Sequence, residues 1–212
     1  TTLIAALRVS HYLVLIHQGD GRCDVFYDDG TVDQPIPWDN RCKGSVTTSM
    51  CDEDVFQSIR STVIDTDERK VVACYIGSDG VEDSYYDNEE TQLGTHRFYM
   101  DLSCKLHEIG IEGFSKYMDD FLPEFSRTGS ADDISVAGIV DLEAITGLID
   151  GYKSSIEQFD YKQSLHKRWE ETNAKLISMS RNHGLLQQRI IDAEQNLKAT
   201  TEEKQKLEDK LQ

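Results

Sequence analysis

The chain has 212 residues, 38% of them apolar and 29% charged, enough for one domain with an extension or for two small domains. No apolar run approaches about 18 residues, which excludes a membrane-spanning helix, and no signal-peptide pattern is visible. The net charge of −17 leaves no basic footprint for nucleic acid.

Residues 1–150 carry a net −18 and residues 151–212 a net +1. Such an acidic excess repels itself unless cations or basic partners offset it. A solvated surface is the plain reading, and divalent-metal binding by named carboxylates is the sharper one. Five cysteines (Cys23, Cys42, Cys51, Cys74 and Cys104) are odd in number and form no C-x-x-C pair, against both a disulfide framework and a structural zinc site. Cys23 and Cys74 fall inside apolar runs, where a buried thiol is the default. A reducing cytoplasm is the expected compartment. The chain begins at Thr1 without a Met and reads as a processed protein or a piece of a longer one.

Along the chain, Thr2 to Val9, His11 to Ile16 and Cys23 to Tyr27 read as strands, the last ending at the turn Asp28-Asp29-Gly30. Pro35 and Pro37 mark a loop, and Ser45 to Ser49 suggests a short strand. Asp52 then reads as an N-cap, with Val55, Ile59 and Val63 at helical spacing. Lys70 to Ile76 is a continuous apolar strand of the kind buried on both faces. It stops at Gly77-Ser78-Asp79-Gly80. Two helices follow, over about 93–109 and 112–125. After a turn at Gly129-Ser130-Ala131 comes Asp132-Asp133, opening a strand from Ile134 to Val140. Helix then runs from about 141 to the end.

From Leu165 the spacings 4 and 3 alternate through Trp169, Thr172, Leu176, Met179, His183, Leu186, Ile190, Ala193, Leu197, Thr200, Lys204, Leu207 and Leu211. This heptad seam amounts to a rod of about 70 Å. Such a helix needs a second copy, another protein or its own domain to cover the seam, and self-association is favoured. The chain thus divides into a domain at 1–150 and a helical or coiled-coil segment at 151–212. His183 reads as a register-setting polar residue. His11, His17, His96, His107 and His166 have no metal-motif spacing and read as packing or surface.

Two acidic turns carry the chemistry. In Ser78-Asp79-Gly80-Val81 an apolar strand delivers a carboxylate and Gly permits a sharp turn. In Asp132-Asp133 a carboxylate pair opens another strand. Two strands with an Asp at one end can aim both carboxylates at a hard cation such as Mg²⁺ or Mn²⁺. Asp83 fits the pattern after Ser78-Asp79-Gly80-Val81, and a helix-starting carboxylate explains it equally well. Tyr85 and Tyr86 are candidates to line a substrate groove.

The ordered set Thr1-Thr2-Leu3-Ile4-Ala5-Ala6, Gly19-Asp20-Gly21-Arg22, Ser78-Asp79-Gly80-Val81 and Asp132-Asp133-Ile134-Ser135-Val136 resembles the metal-dependent Ser/Thr protein phosphatases of type 2C, in their bacterial branch. The resemblance covers residues 1 to about 142. It implies an α+β fold: a β-sandwich of two antiparallel sheets flanked by helices. It also implies two Mn²⁺ or Mg²⁺ ions at one end, with Asp79 and Asp132 as metal ligands and Asp20 toward a weaker third. Asp133 replaces the Asn usual in larger members and is a neighbour of the site. The implied reaction is hydrolysis of phosphoserine or phosphothreonine in a phosphoprotein by a metal-activated water.

Family elements that precede the Thr-Thr-Leu strand are missing: a phosphate-binding Arg and an Asp-Gly whose Asp bridges both metals. Asp29-Gly30 lies in a later hairpin and is no substitute. The chain therefore reads as the C-terminal two-thirds of the domain, inactive alone. A phosphatase-like scaffold that recruits a partner through its coiled coil is the alternative. Thr1 also suggests an N-terminal-nucleophile hydrolase, but His17 and Asp33 stand where that chemistry needs a different charge pattern.

Overall fold

A computed structural model describes residues 1–42, 46–85 and 91–211. It divides into a compact unit, Thr1–Phe159, and a second unit, Asp160–Gln212.

Two antiparallel sheets form the first unit. In one, β1 (Leu3–Val9), β2 (Tyr12–Gln18) and β5 (Arg60–Asp65) lie in the order β1-β2-β5. In the other, β3 (Arg22–Tyr27), β4 (Val32–Asp33), β6 (Val71–Gly77) and β7 (Val136–Val140) lie in the order β4-β3-β6-β7. Leu13 and Leu15 of the first sheet pack with Cys23, Val25, Tyr27 and Cys74 of the second, forming the core between the sheets. The period of two then sends Asp24 and Phe26 to the opposite face of β3.

That opposite face is covered by helix. Phe26, Val72, Ala73 and Tyr75 pack against Phe98, Tyr99 and Leu102 of α3 (Thr91–Thr128), Ile145 of α4 (Leu142–Thr146), and Ile149 and Tyr152 of α5 (Ile149–Leu211). Phe26 meets Tyr75 and Tyr152 edge-on at 5.8 and 5.7 Å. A fully buried side chain of this size is worth about 2 kcal/mol or more by area alone. The first turns of α5 thus belong to the core of the first unit. Asp24, fully buried, accepts hydrogen bonds from Gln34 Nε2 (2.8 Å) and Thr95 Oγ1 (3.0 Å). Burial pushes its carboxyl up to about 7 and pulls the neighbouring His96 imidazole down to about 4.

Among the described residues, nothing covers the outer face of the three-stranded sheet. Leu7 on β1 lies opposite Val14, which lies opposite Val63 on β5. Leu7 is 59% exposed and Val63 60%, and Leu3, Val9, Tyr12 and Ile16 are exposed with them.

The sandwich with flanking helices agrees with the sequence reading, and several local expectations are corrected. Helix α1 is one turn, Val55–Ser58, and Val63 belongs to strand β5, where Val63 pairs with Val14. The β-branched Ile59, Thr62, Val63 and Ile64 favour the strand that edges β2. Asp52 does not cap that helix: its carboxylate accepts from the Ser49 amide (2.7 Å). Ser45 lies outside the described residues, and Thr47 to Ser49 form no strand. Strand β7 starts at Val136, so Asp132 and Asp133 lie in the irregular segment before it, and β7 is a half-exposed edge. Helix 141–212 is interrupted at Gly147, which caps α4. The two helices expected over 93–125 are the halves of α3, broken at Gly110 (φ 68°), a left-handed conformation suited to Gly.

In the second unit α5 continues to Leu211. Leu165, Trp169, Leu176, Met179, Leu186, Ile190 and Leu197 of the seam are all exposed, Trp169 by 63% and Met179 by 69%. No helix among the described residues is long and apolar enough to cross a membrane.

Candidate metal centre

Three chain segments meet at one end of the two sheets. The β2–β3 turn, Gly19-Asp20-Gly21, carries Asp20. Strand β6 runs into Ser78, which precedes the short helix α2 (Asp79–Glu82) carrying Asp79 at its start, with Asp83 next after its end. The segment before β7 carries Asp132.

The last two segments are stitched together by serines. Ser78 N–H donates to Ser135 O (3.0 Å), Ser135 N–H to Ser78 Oγ (3.0 Å), and Ser78 Oγ to Asp133 O (3.1 Å). Ser130 Oγ donates to Gly80 O (3.0 Å) and Ser126 Oγ to Asp132 O (2.6 Å). These bonds place one carboxylate oxygen each of Asp79, Asp83 and Asp132 within 4.8 Å of one another. Asp79 is half-buried and the other two are exposed.

The Asp20 turn packs against the end of β6 that leads to Asp79. Gly21 sits against Gly77 O and Ile4 Cδ1, leaving no room for a Cβ. Asp20 and Asp79 line one cavity of about 300 Å³ together with Thr2, Gly21, Ser78 and Ser135. Arg60 holds the turn from behind, with Nη2 donating to Gly19 O (2.6 Å) and Nη1 to Pro37 O (2.9 Å). Burial, then the charges of Arg60 and Arg22, pull the His17 imidazole down to about 4.

Electrostatics mark Asp79 as the centre of this group. Partial burial is the largest cause raising its carboxyl above the usual range, and Asp20, Asp132 and Asp83 each push it further. Repulsion of this kind is what a divalent cation would relieve. The donors are all carboxylate oxygens, the set that suits Mg²⁺ or Mn²⁺.

A family model described as protein phosphatase 2C matches residues 1–122. The chain belongs to the protein phosphatase 2C family. Asp20, Asp79 and Asp83 fall inside that match and Asp132 beyond it. No curated protein matches the chain. Among solved structures, it is similar to a bacterial serine phosphatase bearing an Arg-to-Glu substitution, at 18% identity and TM-score 0.42, covering 66% of this chain and 53% of that one. It is also similar to the catalytic domain of the serine threonine protein phosphatase PstP in complex with 2 manganese ions, at 16% identity and TM-score 0.42, covering 66% and 57%. The chain thus spans little more than half the length of these structures.

Of the residues singled out in the sequence of this 2C-family chain, Asp79 and Asp132 come together, and Asp20 lines a cavity with Asp79. Asp83 completes the trio. It does not start a helix, since it caps the end of α2, where a carboxylate opposes the helix dipole. Its four-residue spacing from Asp79 was the available signal. Tyr85 packs against Phe125 and Phe159 (6.1 and 6.2 Å), and Tyr86 lies outside the described residues. A second trio, His11, Asp65 and Asp67, has ligand atoms within 4.8 Å of one another at the far end of β2.

Proposed function

We propose that this chain carries the metal-binding core of a Ser/Thr protein phosphatase that uses Mn²⁺ or Mg²⁺, with Asp79 and Asp132 as ligands to two ions and Asp20 toward a third. The observation that carries the reading is the convergence of Asp79, Asp83 and Asp132 beside Asp20, in a member of this family. A divalent ion bound there would offset phosphoryl charge and lower the pKa of a coordinated water. The chain's own part is to hold Asp79, Asp83 and Asp132 on serine-stitched turns and Asp20 on a turn held by Arg60, so that little reorganisation accompanies binding of the ion. The substrate class is a phosphoprotein, with no role for nucleic acid or membrane. The five free cysteines support a reducing, cytoplasmic setting.

The chain alone is inactive in this reading. Among the described residues the charges that act most strongly on Asp79 are all carboxylates, and the outer face of the three-stranded sheet lies uncovered. The same two observations support the second reading, a phosphatase-like scaffold. Calorimetry with MnCl₂ and hydrolysis of p-nitrophenyl phosphate in Mn²⁺ and in EDTA test both points. Mn²⁺ binding without turnover is expected. Absence of binding would remove the metal centre, whereas EDTA-sensitive turnover by a chain shown by mass to be alone would remove the claim of inactivity.

The exposed seam of α5 is proposed to pair with a second copy of the chain, forming a coiled-coil dimer and organising the domains as 1–150 and 151–212. Sedimentation equilibrium should give a dimer that Leu186→Lys with Ile190→Lys converts to monomer. A monomeric parent chain would refute the pairing.

A further inference from the structure

An ion pair joins the two turns that bear the acidic residues. Arg22 opens β3, two positions after Asp20, and Glu82 ends α2, three positions after Asp79. Arg22 Nη2 pairs with Glu82 Oε1, and the two side chains are only 19% and 16% exposed. Trp38 covers the pair: the Arg22 guanidinium carbon lies 3.6 Å from its ring centroid. On the backbone, Arg22 lies opposite Gly77, the residue before Ser78-Asp79.

A guanidinium that is stacked on an indole and paired with a carboxylate is fixed in both direction and distance. Its two anchors are the exit of the Asp20 turn and the end of the helix that Asp79 begins. The nearby backbone link, the β3–β6 ladder, stops at Arg22 and Gly77, so the pair ties the turn to the helix beyond the end of that ladder.

We propose that Arg22, Glu82 and Trp38 form a positioning clamp that holds the Asp20 turn against α2 and thereby sets the affinity of the acidic centre for a divalent cation. The clamp deepens the metal-centre reading and rests on it. Partners outside the ligand set commonly change metal affinity by about 10- to 100-fold.

Charge alone makes the opposite forecast for one of the two partners, which makes the idea testable. Arg22→Gln removes a cation near a cation site, so the bare field would tighten Mn²⁺ binding. Loss of the clamp weakens it. Glu82→Gln weakens binding under either account. The experiment is calorimetric titration of the full chain with MnCl₂, with thermal unfolding recorded beside it. The expected result is that both variants bind Mn²⁺ about tenfold more weakly, with Arg22→Lys between them and the parent. Trp38→Leu alters no charge and should also weaken binding, which keeps the test decisive should Arg22→Gln fail to fold.

Tighter or unchanged binding by a folded Arg22→Gln chain would overturn the clamp. So would a fall in melting temperature at constant Mn²⁺ affinity, which would make the pair a purely structural one. A parent chain that binds no Mn²⁺ would remove the metal centre itself, a failure distinct from a binding parent whose variants bind equally well.

Discussion

Asp79→Asn should lose Mn²⁺ binding by more than about 100-fold, beyond the usual cost of losing a partner outside the ligand set, while the chain stays folded. Asp79 shares a cavity with Asp20 and has an oxygen within 4.8 Å of Asp83 and Asp132. Its carboxylate is the one group that belongs both to the trio and to the cavity lined by Asp20. Asn keeps the shape, and its Oδ1 can still accept the Gly80 N–H that Asp79 Oδ1 accepts at 3.0 Å. Only the charge is lost. Without metal, the charged form of Asp79 is disfavoured by burial and by three like charges, so the substitution removes repulsion and the melting temperature should hold or rise. The sign with pH follows from the same shift. A carboxyl raised in the folded state costs stability as pH rises through its range, and Asn removes that fall in the metal-free chain. Calorimetry and thermal melts at pH 5 and 7 read all three effects. Unchanged Mn²⁺ affinity would place the ion elsewhere, with His11, Asp65 and Asp67 the alternative trio.

Much of this centre could be read from the sequence because its signals are local. The run Val71 to Gly77 is apolar throughout and is buried on both sides, so its abrupt end at Ser78-Asp79-Gly80 pointed to a strand delivering a carboxylate. Asp132 was placed on the wrong element. It lies ahead of β7, held by Ser126 and Ser130, and hydroxyl-to-backbone bonds of that kind leave no periodic trace. The spacing of Val55, Ile59 and Val63 fits a helix and misled, because the edge of β2 offers β5 a ladder of hydrogen bonds that outweighs a four-residue repeat. Arg22 and Glu82 are 60 residues apart, and no pattern within a window of the sequence joins them. The two helices expected over about 93–109 and 112–125, by contrast, are separated in the structure at Gly110.

The bare outer sheet face also escaped the sequence, for a physical reason. Leu3, Leu7, Val14 and Ile16 lie in runs that are apolar on both faces, and alternation alone does not say which of two apolar faces meets the other sheet. Ile4, Ala6, Leu13 and Leu15 take the inner face, so both faces of β1 and β2 are apolar. That is the pattern of strands built to be covered on both sides, and β3 and β6, whose second face carries the helices, show what such a cover looks like.

Gly21→Ala should lower both the stability of the first unit and its Mn²⁺ affinity. A Cβ at position 21 would press on the Gly77 carbonyl oxygen and on Ile4 Cδ1. The Ile4 side chain can turn aside, but the carbonyl cannot move without dragging the backbone that leads into Ser78-Asp79. Overpacking of this kind costs about 2 kcal/mol, or about 4–8 °C in melting temperature for a chain of this size. The added methyl also wedges the Asp20 turn away from Asp79, so Mn²⁺ affinity should fall with stability. Gly151→Ala supplies the control: a Cβ there meets nothing within 4 Å, and Ala in a helix is favoured over Gly by about 1 kcal/mol, so that variant should melt no lower and bind Mn²⁺ as the parent does. A Gly21→Ala chain with parental melting temperature and parental affinity would mean that the two turns can separate freely, and that the approach of Asp20 to Asp79 is not what makes the centre.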